Sequence, residues 1–107
     1  MDDEQLIDRL HARFDPAAAG DLVAVYQFEL SDVEDYYVTI DHGSLDICPG
    51  THTDPSVTIA SDTASLMKLV KKELNAMQAL LSGRVKVKGD IGLASRLPKL
   101  FGKSRTA

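Results

Sequence analysis

The sequence predicts an α+β domain, with helices covering one face of a five-stranded, mostly antiparallel sheet. Two observations carry that reading. Apolar and polar residues alternate in five short runs, the pattern of strands with one buried face, and apolar residues recur at helical spacing between those runs. The 107 residues, 44% apolar and 26% charged, suffice for one core and no second. Residues 1–107 therefore read as a single domain, with 102–107 as a loose basic tail.

The elements follow in order. Leu6, Ile7, Leu10 and Phe14 share a helix face, with Asp2, Asp3 and Glu4 at the positive end of its dipole. Pro16 and Gly20 end that helix. From Leu22 the period becomes two: Leu22, Ala24, Tyr26, Phe28 and Leu30 face the core, and Val23, Val25, Gln27 and Glu29 face solvent. After a polar turn, Tyr36, Val38 and Ile40 repeat the pattern. Asp41-His42-Gly43-Ser44 is a hairpin signal, and Leu45 and Ile47 define a third strand that Pro49-Gly50 stops. Val57 and Ile59 mark a fourth strand. Ser61 or Asp62 caps the next helix, whose stripe is Leu66, Leu69, Val70 and Leu74. Asn75 can restart it, with Met77, Leu80 and Leu81 continuing to Gly83. A fifth strand places Val85 and Val87 opposite Arg84, Lys86 and Lys88. The last helix carries Ile91, Leu93, Ala94, Leu97, Leu100 and Phe101, and Pro98 kinks or shortens it.

No apolar run approaches the ~20 residues of a membrane span. The acidic opening Met1-Asp2-Asp3-Glu4 is unlike a secretory signal. Cys48 is the sole cysteine, which excludes an internal disulfide and fits a reducing, cytoplasmic setting. The net charge of −4 conceals an asymmetry: residues 1–67 hold 14 acidic and 2 basic side chains, residues 68–107 hold 10 basic and 2 acidic. Such a split marks either a patch for an anionic partner or two halves that attract each other within one fold.

Catalytic motifs are lacking: there is no P-loop, nucleophile elbow, His-Glu-x-x-His or Cys-x-x-Cys. Gly83, Gly89 and Gly92 do not have dinucleotide-binding spacing, and no cofactor is expected. His42, Cys48, His52 and Asp54 are the only set worth weighing for zinc, but His42 lies in a turn and Cys48 is a buried-type thiol, so no metal is expected. The basic stretch Arg84 to Arg105 contains Phe101 as its only aromatic, too few for stacked bases, so nucleic acid is not expected as a partner. What remains is apolar surplus in the second half, with Met67 and Met77 among leucines; periodicity favours plain core for it over the lining of a ligand cavity, and the pattern alone does not decide between them.

A resemblance enters at residues 54–94. Asp54-Pro55-Ser56-Val57-Thr58-Ile59, Leu74-Asn75-Ala76-Met77-Gln78-Ala79 and Ser82-Gly83-Arg84-Val85-Lys86-Val87-Lys88-Gly89-Asp90-Ile91-Gly92-Leu93-Ala94 resemble the sterol carrier protein 2 family. The last block is the most specific. The resemblance implies strand order 3-2-1-4-5, an apolar tunnel between sheet and helices, and non-enzymatic binding and transfer of sterols, fatty acids, acyl-CoAs or similar lipids. On it we expect Phe28, Tyr36, Val38, Met67, Val70, Met77, Leu80, Leu81, Ile91 and Leu97 to line the cavity. The alternative is a protein-interaction or accessory domain of the same fold with a closed cavity.

The chain departs from the family pattern twice. Lys72-Glu73 stands where the family has Gly-Lys, and Ala76 where it has Pro, so 63–81 could run as one continuous helix. Arg105-Thr106-Ala107 also replaces a Ser-Lys-Leu address, as in a stand-alone, cytoplasmic, prokaryotic-type member. Finally, Arg96, Lys99, Lys103 and Arg105 flank the apolar face of the last helix, an arrangement that suits transient docking on an anionic membrane, although the same amphipathicity serves simply to close the core.

Overall fold

The computed structural model describes residues 3–71 and 73–102. The chain runs α1 (Asp3–Arg13), α2 (Pro16–Ala19), β1 (Val23–Leu30), β2 (Tyr36–Asp41), β3 (Ser44–Pro49), β4 (Val57–Ser61), α3 (Thr63–Val70), α4 (Ala76–Ser82), β5 (Lys86–Gly89), α5 (Ile91–Ser95) and α6 (Leu97–Leu100). The five strands form one sheet in the order β3-β2-β1-β4-β5. All neighbours are antiparallel except β1 and β4, which are parallel. Alternation puts apolar side chains in register across the strands. Ile47, Val38, Tyr26 and Val57 make one row, and Tyr36, Phe28, Ile59 and Val87 the next. Helix α5 packs on β4 and β5, while α6 packs against α2 and α3. No helix among the described residues is long and apolar enough to cross a membrane.

Local chemistry explains each departure from the expected element boundaries. Pro16 ends α1 as expected but also opens α2: Asp15 accepts hydrogen bonds from the Ala17 and Ala18 amides at 3.1 and 3.4 Å, and proline suits the first helical position. The hairpin turn is tight because His42 (φ 50°) and Gly43 (φ 87°) both adopt the left-handed region. Asp62 caps α3 through Ser65 N, and Asp32 from the β1–β2 turn accepts from both Thr63 N (3.0 Å) and Thr63 Oγ1 (2.6 Å). Those hydrogen bonds hold both carboxyls below the ordinary aspartate range. Pro98 shortens the last helix, splitting it at Arg96 into α5 and α6.

Residues 63–81 are not one helix. Helix α3 stops at Val70 and α4 starts at Ala76, because Asn75 takes an extended backbone (φ −71°, ψ 127°) and its side chain accepts from Met77 N and Gln78 N. An asparagine cap thus makes the break that a proline would otherwise enforce. Lys72 lies outside the described residues, as do Asp2, Lys103 and Arg105.

Gln27 overturns a second expectation. It occupies the outer face of β1, yet it is fully buried. Its amide donates to Tyr36 O (3.2 Å) and Gly50 O (3.1 Å) and accepts from His52 N (2.7 Å). The segment from β3 to β4 crosses here and covers it.

Two stability measurements check this account. Ala76→Pro should leave the melting temperature unchanged or raise it slightly, because position 76 is the first helical residue and Asn75 already has the backbone a following proline requires. In a continuous helix the same change would cost ~3 kcal/mol. Gln27→Leu should destabilise by about 3 kcal/mol in denaturant titration, because it strips partners from three backbone groups.

Candidate functional site

An apolar pocket of about 290 Å³ lies at the β4–β5 side of the sheet, beneath the short helices. Ile59 and Val87 form its floor, Leu69 and Val85 its flanks, Met77 and Leu80 of α4 one lip, and Ile91, Gly92, Ala94 and Ser95 of α5 the other. Its wall is almost all carbon. The Ser95 hydroxyl donates to Gly92 O at 2.7 Å, which satisfies it within its own helix. Such a surface can bury an apolar chain but offers little to orient a polar one.

The sheet positions the pocket through its last turn. Gly89 has φ +95°, and a Cβ there would stand 2.9 Å from Ser56 O, so only glycine lets β5 approach β4 this closely. Asp90 then caps α5 at Leu93 N. Tyr26, on the neighbouring row of β1, reaches up and donates its hydroxyl to Leu93 O at 2.7 Å. Burial pushes that hydroxyl up to about 12, with the Arg96 cation opposing the rise. Tyr26 therefore anchors α5 over the sheet as a neutral donor.

The expected lining residues divide. Met77, Leu80 and Ile91 line the pocket. Phe28, Tyr36, Val38, Val70 and Leu97 are buried among core side chains further along the sheet. Met67 is buried too and edges a separate, polar hollow with Asp8, Arg9, Arg13 and Lys71. Leu81 is exposed on the outer side of α4. Ile59, Val85, Val87 and Ala94 were not singled out as lining, although alternation already placed the three strand residues on the helix-facing side. The strand order was expected on the resemblance; what was not drawn from it is that the pocket lies over β4 and β5, between α4 and α5, and not over the meander.

The side chains weighed for zinc each engage their own neighbours. His42 Nδ1 lies 2.5 Å from Asp41 Oδ1, the Cys48 thiol faces Asp46, and His52 Nδ1 accepts from Asp54 N while its ring meets Tyr37 edge-on. Among the described residues no group of three or more His, Cys, Asp or Glu could hold a metal ion. Of the docking residues, Arg96 and Lys99 are exposed.

Residues 4–102 match the SCP-2 sterol transfer family. Hydroxysteroid dehydrogenase-like protein 2 of Xenopus tropicalis is 30% identical over 82 residues, covering 74% of this chain and 20% of that protein. The chain thus spans about a fifth of the length of the curated relatives it matches. Among solved structures, the inverting sec-alkylsulfatase Pisa1 from Pseudomonas sp. superposes with a TM-score of 0.88 at 21% identity, covering 99% of this chain and 17% of that one. The sterol carrier protein 2 like 2 of Aedes aegypti gives 0.67 at 27% identity, over 91% and 94% of the two chains. A solution structure of the palmitated insect protein gives 0.67 at 23% identity over all of both chains.

Tyr26→Phe tests the anchor. Loss of one hydrogen bond to a buried carbonyl should cost ~1 kcal/mol near neutral pH. Because the folded-state pKa is raised, the hydroxyl's contribution is complete below pH 10 and fades as pH rises towards 12. The melting-temperature gap between wild type and Tyr26→Phe should therefore shrink across that window.

Proposed function

We propose, since the chain belongs to the SCP-2 sterol transfer family, that it binds an elongated apolar lipid in the pocket between β4, β5, α4 and α5 and carries it through water without catalysing a reaction. The observation that carries this reading is the carbon-lined pocket, open between two short helices. Support also comes from the palmitated insect relative, whose fold this chain shares over its whole length. The single cysteine is in keeping with a cytoplasmic site of action. A methylene has about the bulk of a water molecule, ~30 Å³ in the liquid, so the pocket's 290 Å³ accepts a chain segment of about ten carbons. Each buried methylene contributes ~0.8 kcal/mol, or about fourfold in affinity, before the costs of association.

A second reading is an accessory domain. The chain corresponds to a small fraction of the dehydrogenase-like relatives and of the alkylsulfatase, so the same unit serves inside larger proteins. Even there an open pocket is better suited to presenting an apolar substrate than to filling space.

Native mass spectrometry of freshly purified protein, followed by organic extraction, tests lipid occupancy directly. Calorimetric titration with saturated fatty acids of increasing length should show affinity climbing to about ten carbons and then flattening. Leu80→Trp, which fills the pocket, should weaken binding at least tenfold while the melting temperature changes little. Undiminished binding by that variant would place the ligand elsewhere.

A further inference from the structure

We propose that the groove between α1 and α3 is a binding site for a small soluble phosphate ester, separate from the apolar pocket. Each helix brings to it a pair of residues one turn apart, Arg9 and Arg13 from α1 and Met67 and Lys71 from α3 and its end. Leu69, which lines the apolar pocket, lies on another side of α3, and the two cavities share no residue. The hollow measures about 360 Å³. Buried Met67 and half-buried Ala12 give it an apolar floor, and Asp8 is the one carboxylate in its lining.

Charge points to the occupant. Residues 1–67 hold 14 acidic side chains and only two basic ones, and those two, Arg9 and Arg13, both stand in this hollow. Lys71 joins them, so three cations face a single carboxylate. Among the described residues none of the three forms an ion pair, the one such contact being between His42 and Asp41. Arg13 is fixed in place: its Nε donates to Phe101 O at 3.0 Å and its Nη2 to Val70 O at 3.5 Å. A guanidinium has five N–H donors, so these carbonyls orient Arg13 and leave three donors for a ligand. Cations at helix C-termini also answer the helix dipole, as Arg13 does, but Arg9 stands before the last turn of α1 and has no such task. A phosphate monoester, at about −2 near neutral pH, matches the surplus of two positive charges. At ~30 Å³ per water the hollow holds about twelve waters, more than a phosphate group displaces, so the ester's organic part can lie over Met67 and Ala12.

Calorimetric titration with ribose 5-phosphate in low-salt buffer tests the proposal, with ribose as the comparison. Wild type should bind the phosphate ester saturably, lose that binding as salt is added, and ignore ribose. Arg9→Gln combined with Lys71→Gln should weaken binding about tenfold or more. Both side chains are exposed, so the melting temperature of this variant without ligand should match wild type. Arg84→Gln combined with Lys86→Gln is the control, because it removes the same charge from a different hollow and should bind like wild type. Fatty-acid titration should be the same for wild type and the Arg9→Gln, Lys71→Gln variant, so this site and the apolar pocket stand or fall separately. An equal loss in both paired variants would reduce the effect to net charge and overturn the proposal. So would a wild type that does not respond to ribose 5-phosphate, including one that binds only phosphatidylglycerol vesicles.

Discussion

The fold depends on how the chain passes from β3, at one edge of the sheet, to β4 on the far side of β1. A buried amide holds that crossing. Gln27 satisfies Tyr36 O, Gly50 O and His52 N at once, and the Ser56 hydroxyl then accepts from Val25 N just before β4 pairs in parallel with β1. Parallel neighbours cannot be joined by a tight turn, so the crossing segment needs its own polar partners. Once β4 lies beside β1, β5 can only extend the sheet outward, and α3 and α4 must pass over its apolar face. The pocket's location follows from that crossing.

Much of this was legible in the sequence, because strands with one buried face reveal themselves by alternation. Tyr36, Val38 and Ile40 against Tyr37, Thr39 and Asp41, or Val85 and Val87 against Lys86 and Lys88, leave little choice of face. Caps were readable in part: Asp62 was one of two candidates for α3, and Asn75 stood as a restart beside the reading of 63–81 as one helix, until its side-chain oxygen was seen to replace a missing helical partner. Gln27 was misread for a physical reason. Alternation reports which face a residue occupies, not whether a distant loop covers that face, and polarity alone cannot distinguish a solvated glutamine from a satisfied buried one.

The cavity was legible as a surplus but not as a place. Methionines among leucines announce apolar area without saying which of it closes on itself. Phe28 and Val38 sit mid-sheet in rows completed on both sides by other apolar residues, so no space is left above them. At the β4–β5 margin the cover thins. Helix α4 is two turns long and seats itself by Ala79, the smallest side chain that can close such a contact, while Met77 and Leu80 stand at the opening. A pocket forms where the covering helix is short and its contact residue small.

That geometry also limits what selectivity the site can have. A wall of Ile59, Leu69, Val85, Val87 and Ala94 gains free energy from any carbon it removes from water, in proportion to area and without direction. Discrimination between polar head groups needs buried donors or acceptors left unpaired when the wrong ligand binds, and the Ser95 hydroxyl is already paired within its helix. On the proposed lipid-binding reading, length and cross-section do the selecting, within the space that α4 and α5 leave between them. Tyr26 holds α5 to the central strand, whereas α4 has its Asn75 cap, Ala79 and a bond from Val85 N to Ala79 O. Of the two lips, α4 has the fewer ties to the sheet, so on the proposed lipid-binding reading the helix that Asn75 restarts sets how wide the pocket can open.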